Sequence, residues 1–142
     1  METVVFGYEN VWCIVMSYLL GFGDINQRIL IAWRPTNAAC FGVIVKCDET
    51  GYFGFKTAQG DESVVSRIVS FFPKYGRSNF EQAMAWAAHD IEYAIEQEKK
   101  SPGAFNNLIR PRENVIRYGT AQTSKAVDPA AELDRQYEQL VH

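Results

Sequence analysis

Trp86, His89 and Tyr93 recur at i, i+3 and i+7, the spacing that puts side chains on one side of a helix, and the chemistry such a trio offers is recognition. Indole and phenol rings give a partner a large contact area with a polar handle, and both are enriched at interfaces. Their side lies well away from a second, broad apolar stripe of Phe80, Ala83, Met84, Ala87, Ala88, Ile91, Ala94 and Ile95, so one helix has two faces to cover. The aromatic face either docks a partner or lies beneath the last helix of the chain. His89 beside Asp90 suggests acid–base work, but neighbouring helix residues diverge by about 100° and cannot orient one another. Glu92 or Tyr93 is better placed to pair with His89, yet no nucleophile or oxyanion donor accompanies them.

The three cysteines, Cys13, Cys40 and Cys47, lack the short spacing of a zinc site, and only His89 and His142 could complete one. In strand-like stretches, without a cationic neighbour or a helix N-terminus, they are not activated nucleophiles. No metal, no cofactor and no catalytic set is therefore expected, and the residues weigh against an enzyme.

Positive charge gathers late in the chain at Lys99, Lys100, Arg110, Arg112, Arg117 and Lys125. Lys99 and Lys100 suit a helix C-terminus, whereas the arginines can grip an acidic partner or a phosphate, or simply stay solvated. The same long helix has an acidic middle of Asp90, Glu92, Glu96 and Glu98, which reads as a wet face. The favoured function is a non-catalytic module that binds another protein through Trp86, His89, Tyr93, Arg110, Arg112 and Arg117. A small enzyme acting on a phosphate-bearing ligand through Arg110, Arg112 and Tyr118 is the first alternative, and a nucleic-acid-binding module the second. A net charge of −3 argues against a phosphate backbone as the main ligand, because that needs a basic stripe to displace counterions. A homo-oligomer is compatible with all three readings.

What positions these residues is a domain built around residues 38–57. Apolar Phe41, Val43 and Val45 share one face of a first arm, and Phe53 and Phe55 share a face of the second; Asp48-Glu49-Thr50-Gly51 between them fits a type I turn whose glycine takes positive φ. Residues 11–18 are apolar on both faces and read as a central strand; residues 27–33 read as another. Asp61 caps a short helix with Val64, Val65, Ile68, Val69, Phe71 and Phe72 at helical spacing until Pro73, and Ser78 with Glu81 forms a capping box for the long helix, which runs to about Lys99. Residues 114–119 offer a late strand, residues 121–126 a short linker, and Asp128-Pro129 opens a closing helix with Leu133, Tyr137, Leu140 and Val141 on its inner side. With 142 residues, 47% of them hydrophobic, the chain reads as a single α+β domain. Its antiparallel meander sheet of about five strands carries two or three helices, mainly on one face. The apolar run 11–22 is roughly half the length a membrane span needs, and Met1-Glu2-Thr3 lacks the basic start of a signal peptide, so a cytoplasmic location with reduced thiols is expected.

Three blocks resemble the domain-of-unknown-function 3037 family of bacterial proteins. Gly42-Val43-Ile44-Val45 with Glu49-Thr50-Gly51-Tyr52-Phe53-Gly54 is similar to its hairpin, and Asn107-Leu108-Ile109-Arg110-Pro111-Arg112 with Val115-Ile116 to its late strand. Asp128-Pro129-Ala130-Ala131-Glu132-Leu133-Asp134-Arg135 followed by Leu140-Val141 is similar to its closing helix, and this match is the most specific. Together they cover roughly the last two thirds of the chain. Ala38-Ala39-Cys40-Phe41 stands where members carry a polar-apolar EFVN segment, and residues 27–33 read as an insertion relative to them. The family carries no assigned activity. Its members resemble accessory proteins encoded beside HipA-like kinases, which implies a binding partner; an inhibitor of a host-defence complex, if the protein is virus-borne, is a variant of the interaction reading that gene context separates from a bacterial accessory role.

Overall fold

Asp48, Glu49, Thr50 and Gly51 turn the chain back between β2 (Ala38–Cys47) and β3 (Tyr52–Thr57), with Gly51 at φ +76° supplying the left-handed step. The Thr50 hydroxyl accepts from the Tyr52 amide at 3.2 Å, and Lys46 pairs with Asp48 across the start of the turn. The computed structural model describes residues 8–19, 38–70, 76–110, 116–119 and 122–141. The strand expected at residues 27–33 lies outside them, as do Phe71, Phe72, Pro73, Arg112 and His142.

β1 (Tyr8–Leu19) is the central strand, antiparallel to β2 on one side and to β4 (Ile116–Tyr118) and β5 (Gln122–Ala126) on the other. The five-stranded order is β3-β2-β1-β4, with β5 also on β1. The first three strands thus run as the expected meander, while the last two return to β1 from the far end of the chain. β5 occupies the stretch read as a linker. Gln122, Thr123 and Lys125 are exposed and Ala126 is buried, so the strand is held by its backbone ladder to Tyr8, Val11, Trp12 and Cys13 and leaves no apolar alternation in the sequence.

Four helices are seen among the described residues: α1 (Glu62–Val69), α2 (Gly76–Lys100), α3 (Ala104–Leu108) and α4 (Pro129–Leu140). Asp61 caps α1, accepting weakly from the Val64 amide at 3.5 Å, and Asp128 caps α4, accepting from Ala130 at 3.0 Å with Pro129 in the first turn. α2 begins at Gly76, two positions before the expected cap. Ser78 therefore sits inside the first turn, and Glu81 is taken by Arg77, whose Nε donates to it at 2.8 Å.

Register fixes which side chains share a face. Val11, Cys13, Val15, Val43, Val45, Tyr52 and Lys56 lie on one, and Trp12, Ile14, Met16, Ile44, Lys46, Phe53 and Phe55 on the other. On the first face α4 packs: Lys56 Nζ is 3.3 Å from Asp134 Oδ1 and 4.7 Å from the Tyr137 ring centre. On the second face α3 packs, with the Phe53 and Phe105 rings edge to face at 5.3 Å. Helices thus cover both faces rather than mainly one. The cause is β2, whose Val43, Ile44 and Val45 are apolar in both directions and fully buried. A bulge opposite Met16 and Ser17 breaks the alternation that would group Phe41 with Val43, and the Phe41 ring instead meets Phe80 of α2 edge to face at 6.0 Å. Leu133, Tyr137 and Val141 are buried as the helical spacing predicts, while Leu140 is exposed.

Candidate functional site

Along α2 the buried stripe is Phe80, Ala83, Met84, Ala87, Ile91 and Ala94. Three of these are alanines, Ala83, Ala87 and Ala94, and they form the floor of a groove with α3 and β4. Trp86, Asp90, Tyr93 and Gln97, at i, i+4, i+7 and i+11, make one rim. Asn107 and Leu108 of α3, with Arg110, make the opposite wall, and Ile116 and Tyr118 of β4 complete it. The groove encloses about 610 Å³, which is within the range of pockets that hold small molecules and also fits a few side chains of a partner.

The far wall is fixed by Glu98, near the end of α2. Its carboxylate accepts from the Phe105 amide at 2.8 Å and from the Gly103 amide at 3.5 Å, so that the turn at Ser101-Pro102-Gly103 and the start of α3 are tied to α2. Gly103, at φ +112°, makes the reversal possible. Phe105 anchors α3 from below, against Phe53, with Lys46 Nζ 5.3 Å from its ring centre. The acceptor for the amides at the start of α3 thus comes from the end of the preceding helix, five and seven residues back.

Of the residues singled out for recognition, Trp86, Tyr93 and Arg110 line this one groove. Trp86 is 62% exposed and Tyr93 63%, because α4 lies against β1, β2 and β3 rather than over α2. His89 is also exposed, but it is not part of the groove; its Nδ1 is 3.9 Å from Asp90 Oδ1, too long for a hydrogen bond. Arg117 is the middle residue of β4, opposite Ser17, and Arg112 lies outside the described residues. Tyr118, expected to act with Arg110 on a phosphate, also lines the groove. Sequence reasoning missed Asp90 as a rim residue. Its signal was present, one turn after Trp86 and one before Tyr93, but the carboxylate was grouped with a solvated acidic face.

Elsewhere several ionisable groups are held in structural pairs. Arg77 bridges Glu62 and Glu81, and Glu132, one of the buried residues, accepts from Arg135 Nε at 2.9 Å and from Gln136 at 2.7 Å. The hydrogen bond from Arg135 is the chief reason the Glu132 carboxyl is held below its usual range. Burial, with Glu132 adding to it, pushes the Cys13 thiol up to about 11, and burial also raises Cys40. Both thiols are thus poor nucleophiles at neutral pH. Among the described residues no group of three or more histidine, cysteine or acidic side chains is placed to hold a metal, and no helix is long and apolar enough to cross a membrane.

Fold and groove together define an α+β domain: an antiparallel sheet covered by helices on both faces, with an amphipathic groove beside its longest helix. Residues 37–141 match the family model described as "Protein of unknown function (DUF3037)", and the chain belongs to that family. The match runs from β2 through α4, so it contains the whole groove, whereas β1 and residues 27–33 precede it. No curated protein and no solved structure matches the chain.

Proposed function

We propose that this protein is a non-catalytic interaction module, an accessory or inhibitory partner of a larger cytoplasmic protein, and that it docks through the groove between α2 and α3. The observation that carries the reading is the exposure of Trp86 and Tyr93 on one rim of a groove whose other wall presents Arg110. Leaving two large amphipathic rings in water is costly unless they are covered when a partner arrives, and such rings are the residues that dominate binding energy at interfaces. Affinity purification tests it. A Trp86→Ala, Arg110→Glu double variant should lose the specific partners that the wild-type chain retains; an identical set of partners, recovered in equal yield, contradicts the proposal.

A second reading is favoured by one specific observation. Arg110 and Tyr118 line the same concave site as Asp90, which is the kind of convergence an enzyme acting on a phosphate-bearing ligand would use. Phosphate and a nucleotide panel in thermal-shift assays separate the two: stabilisation of the wild type that Arg110→Ala abolishes supports the ligand site, and its absence leaves the docking module.

A further inference from the structure

We infer that the groove's anchor is an arginine side chain of the partner protein, held between Trp86 and Tyr93 with Asp90 as its counter-ion. The inference rests on the docking role proposed above and adds the chemistry of what docks.

Helix geometry puts the three residues within about 60° of one another around the α2 axis, with Asp90 about 6 Å beyond Trp86 and about 4.5 Å before Tyr93. A cation seated over Asp90 is then within reach of a ring on each side, and aromatic faces attract cations within about 6 Å. All three side chains line the groove and all three are exposed. Among the described residues the one ion-pair contact of Asp90 is His89 Nδ1, at 3.9 Å, and that histidine is a counter-ion only when protonated. The carboxylate thus has capacity for an incoming charge. The fold uses the same pairing internally, where Lys46 stands over Phe105 and Lys56 over Tyr137.

Charge points the same way. The chain carries −3 overall, so a cationic segment is drawn in rather than repelled. Arginine fits better than lysine because a planar guanidinium stacks on ring faces while its donors fork onto a carboxylate. Arg110 on the opposite wall restricts the basic group to the α2 side and favours an acidic or carbonyl group facing α3. The specificity is therefore polar across the groove: guanidinium against Asp90, acceptor against Arg110.

A random peptide display library selected on the full chain tests this. Enriched peptides are expected to share an arginine whose replacement by glutamine weakens binding at least about tenfold, and Asp90→Asn in the protein should weaken the same peptides by a similar factor. Asp90 is exposed, so this variant folds, and far-UV circular dichroism checks that it does. Peptides that require Trp86 and Tyr93 but carry no basic residue, or that bind Asp90→Asn as well as the wild type, overturn the arginine anchor and leave the docking groove standing. Enrichment only of peptides indifferent to Trp86→Ala and Tyr93→Ala overturns both.

Discussion

Phe53 of the hairpin and Phe105 of α3 meet edge to face, ring centres 5.3 Å apart and planes at 90°. The contact links the strand pair at the edge of the sheet to the far wall of the groove, so the hairpin positions the helix that forms that wall. Phe105 is 6% exposed, and a five-residue helix cannot sustain itself without tertiary contacts. Phe105→Ala should therefore cost about 3 kcal/mol, within the range for large-to-small core changes. Urea denaturation measures the loss, and amide hydrogen exchange should localise the loosening to residues 101–110.

Glycine replacements separate two kinds of close packing. A methyl group at Gly42 would lie 2.6 Å from Met16 Cε and 2.9 Å from the Lys56 carbonyl oxygen, and the second of these is backbone. At Gly54 the neighbours under 3 Å are the phenol end of Tyr52, which lies over the strand and can swing away. Gly42→Ala should destabilise the domain by ~1–3 kcal/mol as an overpacked core position, and Gly54→Ala by less. The urea midpoints of the two variants, compared at equal slope, decide the order.

Much of this architecture was legible in the residues. The hairpin turn, the Asp61 and Asp128 caps, the buried stripe of α2 and the central position of β1 all follow from periodicity and local chemistry, and the structure has each of them. What escaped has non-local causes. β5 is polar and held by its ladder to β1, and the bulge that turns Phe41 toward Phe80 is set by the pairing with β1. Placement of helices on both faces could have been inferred from the unbroken apolar run of β2. The groove was half visible: the spacing of Trp86 and Tyr93 marked a rim, but Arg110 faces it only because α3 folds back at Gly103.

The closing helix is tied down by a bond that spans the chain. Tyr137 donates to Asp61 Oδ2 at 2.7 Å while the other carboxylate oxygen caps α1. Tyr137→Phe should cost about 1 kcal/mol, Asp61→Ala more because it also removes the cap, and the double variant less than the sum. Burial, then the bond to Asp61, raises the Tyr137 phenol well above its ordinary value of about 10. A proton held longer in the folded state gives stability that is complete below pH about 10 and is lost as pH rises through the folded value. Denaturant midpoints between pH 9 and 11 should fall for the wild type and fall less steeply for Tyr137→Phe.

Acid should act through Glu132. Its carboxyl is held below the ordinary value of 4.5, chiefly by the hydrogen bond from Arg135. A lowered folded pKa gives stability that is present above about pH 4.5 and is lost as pH falls through the folded value. Glu132→Gln should be less stable than the wild type at pH 7 and show a shallower decline between pH 5 and pH 3, read from thermal midpoints. A parallel decline in the two proteins would assign the acid sensitivity to other carboxylates.

Site-specific photocross-linking tests the docking groove most directly. A benzophenone-bearing residue placed at Trp86 or at Tyr93 should yield an adduct with a partner protein in cells, while the same residue at Ser63, exposed on α1, should not. Adducts formed equally at Ser63, or at Ser63 alone, would contradict the assignment of the α2–α3 groove as the surface through which this protein works.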